Sequence, residues 1–176
     1  LGKAPEAGTF YSNPVMARTF QLIAETNGRA FYEGYLAERI EEFAIQCDAG
    51  LRLSDLANFK PDWCGTISNK FDHFDLHEIP PNGQGVAALI ALGILNETPI
   101  RDLDADDPQA LHLQIEAMKL ALLDAEFYVA DPDYMTTVTP SHLLDSDYHL
   151  ERSKLINPNK AKDFKAGAPN VGGTVY

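Results

Sequence analysis

The sequence predicts a mainly α-helical chain with a small β contribution, and three observations carry that expectation. Apolar residues recur every three or four positions in several stretches, each opened by a capping residue or a proline. Period-two alternation is confined to one stretch, between Cys64 and Pro80. Nowhere does an apolar run reach the roughly eighteen residues a membrane span needs.

Taken in order, Asn13-Pro14 starts the first helix, with Asn13 as cap and Pro14 at the first helical position. Val15, Phe20, Leu22 and Ile23 follow at helical spacing, and Asn27-Gly28 supplies a left-handed stop. A second helix is expected from about Gly34 to Gln46, burying Leu36, Ile40 and Phe43 and wetting Glu38, Glu41 and Glu42, with Gly50 closing it. Ser54 is read as the cap of a short helix over residues 55–58. Thr66 to Ser68 and Phe74 to Ile79 then read as a β-hairpin turning around Lys70 to His73, stopped by Pro80-Pro81.

After a tight Asn82-Gly83-Gln84-Gly85 loop, Val86 to Leu95 is apolar on nearly every side and is expected to be a buried helix. The longest helix starts at Asp107-Pro108 and runs to about Ala130, with Leu111, Ile115, Met118 and Leu122 as its expected buried stripe. Thr139-Pro140 and Ser146 open two short helices, over residues 141–144 and 147–156. Beyond Asn157-Pro158 the chain is rich in Gly, Pro and Asn and reads as an exposed, flexible segment.

The whole reads as one partial domain of 176 residues: 1–62 helical, 63–81 a strand pair, 82–156 helical, 157–176 a flexible segment. Trp63 and the scattered Phe and Tyr are expected to help seed its core. A net charge of −12 argues against binding a nucleic-acid backbone, which calls for clustered Lys and Arg. Cys47 and Cys64 are too few and too unpatterned for a disulfide framework or a zinc site, and read as two free thiols. The breaker-rich stretch after Leu1 is neither a signal peptide nor a natural start, so the chain is expected to begin mid-protein.

Local motifs are poor in chemistry. The acidic run Asp102 to Asp107 lacks the glycine and the terminal glutamate of a calcium loop, and reads as a solvated turn ending in a helix cap. His73 with His77, and His142 with His149, are not spaced to converge on a metal. The Asn82 to Gly85 loop lacks the Lys and the Ser or Thr of a phosphate cradle. No metal and no cofactor is expected. On spacing alone, Thr174 behind Gly172-Gly173 carries little signal.

The order of several segments does carry one. Asn13 to Thr19 resembles the "N-P-x-L-A-x-T/S-L" helix of the gamma-glutamyltranspeptidase family, and Ala30 to Gly34 its "x-F-Y-x-G" signature. Leu51 to Leu56 matches its "G-x-L/I-T-x-x-D-L" segment, and Ile79 to Gly85 occupies the place of its "P-P-P-S-S-G-G" loop. Glu116-Ala117-Met118-Lys119-Leu120-Ala121, then Asp124 and Asp131-Pro132-Asp133, resemble "E-A-x-K-x-A-x-x-D-R-x-x-x-x-D-P-x-F". The resemblance covers nearly the whole chain.

It implies the C-terminal part of the large subunit of a four-layer αββα N-terminal-nucleophile hydrolase. Such precursors cut themselves ahead of a threonine, which then heads the small subunit and acts as nucleophile. By register that residue is Thr174, and the processing site is Gly173 with Thr174. The implied partners are the small-subunit segment of the same precursor and a small-molecule amide. The resemblance also places the oxyanion-hole glycines beyond Tyr176 and the substrate-carboxylate arginine upstream of Leu1. Substrate-binding residues and compartment stay open, cytoplasmic and periplasmic or secreted alike.

Two departures mark a divergent branch: Thr174-Val175-Tyr176 stands for Thr-Thr-His, and Asn82 and Gln84 stand in the serine loop. They leave open a γ-glutamyl amide, an oxamate-like amide or a β-lactam acyl group as substrate, and a non-catalytic relative as the alternative.

Overall fold

The computed structural model describes residues 3–170, which divide into two units between Asp62 and Trp63. The first unit holds four helices: α1 (Pro14–Glu25), α2 (Arg29–Tyr32), α3 (Tyr35–Gln46) and α4 (Leu53–Asn58). Asn13 caps α1 as its sequence position suggests, its side-chain oxygen accepting from the Met16 N–H at 3.0 Å. Asn27 and Gly28 end it in the left-handed region, at φ 51° and 89°, a conformation cheap for these residue types alone. The sequence did not suggest α2. It is one turn long and tied back to α1 through Thr26, whose hydroxyl accepts from the Ala30 N–H at 3.0 Å.

Two expectations in this unit change. Ser54 is not the cap of α4: the helix begins at Leu53, and the Asp55 carboxylate reaches back to the Arg52 N–H at 2.9 Å. Nor do Leu36, Ile40 and Phe43 form a buried stripe on α3. Ala37 and Ala44 are its buried residues, and Phe43 is 66% exposed. Small residues seat more closely than large ones where helices pack, and periodicity cannot foresee that choice.

The second unit starts with Trp63, which is fully exposed and seeds no core. Strands β1 (Ile67–Phe71) and β2 (Phe74–Glu78) pair antiparallel, Ile67 opposite Glu78 and Phe71 opposite Phe74, around the expected turn. Burial alternates along β1, whose Ile67, Asn69 and Phe71 are half-buried, while β2 is exposed except at Glu78. The hairpin leans on α5 (Gly85–Asn96): Asn69 donates to the Leu89 carbonyl at 2.9 Å, and Asn96 donates to the Lys70 carbonyl at 2.5 Å.

Helix α5 is the buried axis the sequence suggests, with Val86, Leu89, Ile90 and Ile94 fully enclosed. Around it lie α6 (Pro108–Tyr128), α7 (Pro140–Leu143) and α8 (Ser146–Ser153). Asp107 caps α6, accepting from the Gln109 N–H at 2.7 Å, so the acidic run ends in a cap as expected. Asp131 caps a short 3-10 turn, Pro132–Tyr134. At α8 the cap is Asp145, accepting from Asp147 and Tyr148, and Ser146 is the first helical residue.

The expected stripe on α6 faces outward. Leu111 is 57% and Ile115 51% exposed, and Met118 and Leu122 are also open. The buried face is Ala110, Leu113, Glu116, Ala117, Leu120, Ala121, Asp124 and Ala125. Its alanines let α5 approach closely, and its two acids find partners far along the chain, as described below. Among the described residues no helix is long and apolar enough to cross a membrane, and no cluster of His, Cys, Asp or Glu could hold a metal. Cys47 and Cys64 are free and exposed.

Helices α5 and α8 meet at Gly93. A Cβ there would lie 2.2 Å from the His149 ring and 2.7 Å from the Asn69 amide nitrogen. His149 cannot yield, because its Nε2–H donates to the Leu143 carbonyl at 2.9 Å and it is buried. Burial also holds its imidazole below the ordinary histidine range, so the ring sits neutral in the core. Gly93→Ala is expected to lower the unfolding free energy by about 1–3 kcal/mol, read from a urea titration, by forcing these two side chains apart.

Candidate functional site

Thr174 and Gly173, the sequence's candidates for nucleophile and processing site, lie outside the described residues. What the structure does show is how the chain leading toward them is held. From Asn157 to Asn170 the backbone is irregular, as its composition suggests, but residues 157–167 are pinned against α6 and α8 rather than loose.

The pinning follows α6 turn by turn. Gln109 donates to the Pro158 carbonyl at 3.1 Å, and His112 donates to the Asn157 carbonyl at 2.8 Å. Two turns on, the buried Glu116 accepts from the Lys162 N–H at 3.2 Å, while Lys119 donates to the Lys162 carbonyl. Lys119 also bridges to Glu116 at 2.7 Å and stands 5.0 Å from the centre of the Phe164 ring. Burial pushes the Glu116 carboxyl up, but the hydrogen bonds from Lys119 and the Lys162 N–H outweigh it and hold the group below the usual carboxylate range.

Asp124 anchors the far end. It is fully buried and receives four hydrogen bonds: Arg152 Nη2 at 2.9 Å and the Gly167 N–H at 2.7 Å on Oδ1, Arg152 Nε at 3.0 Å and the Tyr148 hydroxyl at 2.9 Å on Oδ2. Four donors match the acceptor capacity of one carboxylate. Arg152 spends a further N–H on the Lys165 carbonyl at 3.0 Å, and Tyr128 donates to the Gly167 carbonyl at 2.7 Å. Burial, and next the neighbouring Asp124 charge, push the Tyr148 phenol far above its ordinary range, so it remains a neutral donor.

Gly167 sits where these side chains converge. A Cβ there would come within 2.2 Å of the Tyr148 oxygen and 3.0 Å of Arg152 Cδ. Among the described residues no buried side-chain polar atom lacks a hydrogen-bond partner. The polar groups of this arrangement satisfy one another. It is a clamp on backbone.

Sequence reasoning named Glu116, Lys119 and Asp124 only as pieces of a family motif, and did not see Tyr128, Tyr148, Arg152 or Gly167. One local signal was available: Glu116 and Asp124 share a face of α6 with alanines, and charge on an apolar face signals a buried partner. The Asn82 to Gly85 loop, by contrast, acts as a packing turn. A Cβ on Gly85 would come within 2.4 Å of the Glu78 carboxylate.

Comparison with known proteins gives this geometry a context. The family model for gamma-glutamyltranspeptidase matches residues 1–176. The chain is 29% identical over 155 residues to the glutathione hydrolase-like YwrD proenzyme of Bacillus subtilis, covering 88% of this chain and 29% of that protein. It is also 29% identical over 175 residues to the oxamate amidohydrolase proenzyme of Klebsiella pneumoniae, covering 99% and 32%. Among solved structures, cephalosporin acylase from Bacillus halodurans superposes with a TM-score of 0.74 at 38% identity, over 95% of this chain and 30% of that one. The chain thus spans about a third or less of these proteins, and its fold is the large-subunit portion of their four-layer αββα architecture.

Two measurements test the clamp's energetics. Arg152→Ala, which strands the Asp124 charge in the interior, is expected to cost about 3–5 kcal/mol in denaturant unfolding, whereas Asp124→Leu combined with Arg152→Met costs far less. For Glu116 the folded carboxyl is depressed, so its contribution is present above its ordinary value of 4.5 and is lost as pH falls through the lower folded value. Glu116→Gln is accordingly expected to be less stable at neutral pH and to lose less stability than the parent when acidified below about 4.5.

Proposed function

Because the chain belongs to the gamma-glutamyltranspeptidase family, we propose that the protein carrying it is an amidohydrolase or acyltransferase whose nucleophile, Thr174, is freed by self-cleavage after Gly173. The observation that carries this reading is the family match itself, which runs through residue 176 and so includes the Gly173–Thr174 bond. Both relatives described above are proenzymes by name, which supports a precursor that is cut.

The chemistry proceeds in two phases. In the precursor, Thr174 Oγ1 adds to the Gly173 carbonyl carbon and gives up its proton. The tetrahedral intermediate collapses by breaking the C–N bond, the Thr174 nitrogen takes a proton, and an ester joins Gly173 to the threonine oxygen. Water hydrolyses that ester, leaving a Gly173 carboxylate and a Thr174 with free hydroxyl and free α-amine. In turnover the amine, with a pKa of roughly 7.7–8, accepts the hydroxyl proton as the oxygen attacks a substrate amide. The departing amine leaves with a proton. Water or an acceptor amine then releases the acyl group.

The partner in this reading is the small-subunit segment that follows Gly173 in the same precursor. The open stripe of Leu111, Ile115, Met118 and Leu122 on α6 supports a covering segment of this kind. Oxyanion donors would come from that partner, so this chain by itself would be inactive.

A γ-glutamyl amide is the first substrate class. A second reading, a β-lactam acyl group or an oxamate-like amide, is supported by the likeness to cephalosporin acylase and to the oxamate amidohydrolase proenzyme. The departures at Val175 and Tyr176 favour a third reading, a relative that is neither cut nor catalytic.

Intact-mass analysis of the full-length protein separates the enzyme from the silent relative. A break between Gly173 and Thr174 is expected in the parent, and Thr174→Ala should abolish both the break and the hydrolysis of a panel comprising a γ-glutamyl anilide, oxamate and an acyl β-lactam. Continued cleavage of the Thr174→Ala precursor at this bond would exclude the threonine.

A further inference from the structure

Five backbone groups of one irregular strap are held by side chains of α6 and α8. The Lys162 N–H goes to Glu116, the Lys162 carbonyl to Lys119, the Lys165 carbonyl to Arg152, the Gly167 N–H to Asp124 and the Gly167 carbonyl to Tyr128. Water could have satisfied these groups at little cost on a strap this exposed, so the capture of three of them by the buried charges of Glu116, Arg152 and Asp124 needs a reason. The clamp grips peptide groups, while Phe164 alone of the strap's side chains packs against the core and beside Lys119. Its one strict demand on sequence is the missing Cβ at Gly167, where Tyr148 would collide with any larger residue. An arrangement of this kind sets register and direction.

Gly167 precedes Gly173 by six residues, a reach of at most about 20 Å when extended. The geometry points to a registration clamp for maturation: Asp124, Arg152, Tyr148 and Tyr128 fix Gly167 so that the Gly173–Thr174 bond is delivered to the place where self-attack occurs. This inference rests on the Thr174 reading and adds to it a division of labour. Self-cleavage is intramolecular and gains its rate from holding the hydroxyl near the carbonyl it attacks, so slack a few residues upstream dilutes that advantage. Once the bond is cut, Thr174 no longer hangs from the strap, and the clamp ceases to matter for turnover. These are positioning residues for one step, acting through Gly167, and they touch no reacting atom.

The test uses the full-length precursor and two variants. Tyr128→Phe removes one hydroxyl and keeps the ring, and Gly167→Ala drives the strap off Tyr148. Cleavage is followed by mass from first synthesis, with thermal unfolding alongside. Tyr128→Phe is expected to mature about three- to tenfold more slowly with little change in melting temperature, and Gly167→Ala more slowly still. The matured fraction of each should show the parent's kcat and KM on whichever amide of the panel the parent cleaves.

Maturation of Tyr128→Phe at the parental rate overturns the clamp while leaving the Thr174 reading intact, whether or not Gly167→Ala folds. A matured Tyr128→Phe enzyme with reduced kcat also overturns it, because the strap would then shape the reacting centre. Failure of the deeper reading has a different signature: a parent that is never cut, or a Thr174→Ala precursor that still is.

Discussion

The ion pair between Asp124 and Arg152 is the constraint around which the second unit is arranged. Both groups are almost wholly removed from water, and a buried charge without its counter-charge costs several kcal/mol. Once Asp124 occupies the inner face of α6, the chain must supply it with a cation and enough further donors to fill its oxygens. Arg152 from α8, the Tyr148 hydroxyl one turn earlier and the Gly167 N–H do so. That requirement fixes where α8 lies along α6, excludes a side chain at residue 167, and ties the largely exposed strap to the core at its backbone.

A second joint has the same logic with neutral groups. Gly93 on α5 gives its missing side-chain volume to His149, and the imidazole is held by the Leu143 carbonyl while Asn69 binds the Leu89 carbonyl nearby. Apolar packing around α5 supplies the bulk of the driving force, and these polar contacts choose among the packings it would permit. His149 and Arg152, three residues apart on α8, thus connect the α5 joint to the α6 joint through one short helix.

For the family chemistry the consequence is a separation of tasks within a single polypeptide. Catalysis in the cut enzyme calls for an amine, a hydroxyl and oxyanion donors, none of which belongs to the clamp. The self-cleavage proposed above calls for one peptide bond to be held against one hydroxyl, a task suited to a strap fastened at its backbone. A branch whose residues after the threonine differ from the usual pattern could retain such a device, since the five groups it grips are backbone groups of residues 162, 165 and 167.

Much of the local structure was legible because its determinants are local. Asn13 before Pro14, Asp107 before Pro108 and the left-handed pair at Asn27-Gly28 set helix ends by capping and backbone sterics alone. The hairpin and the buried α5 follow equally from period and composition. By itself the sequence also carried the family resemblance, through the order of its motifs, and with it the candidacy of Thr174. Tertiary structure alone decided which face of α6 turns inward. Leu111, Ile115, Met118 and Leu122 have the better helical spacing, yet the alanine face with Glu116 and Asp124 is the buried one. The reason is physical: close approach to α5 rewards small side chains, and two buried acids become tolerable only when donors 24 to 46 residues away in the chain come to meet them. Hydrogen bonds of that span leave no periodic trace in sequence.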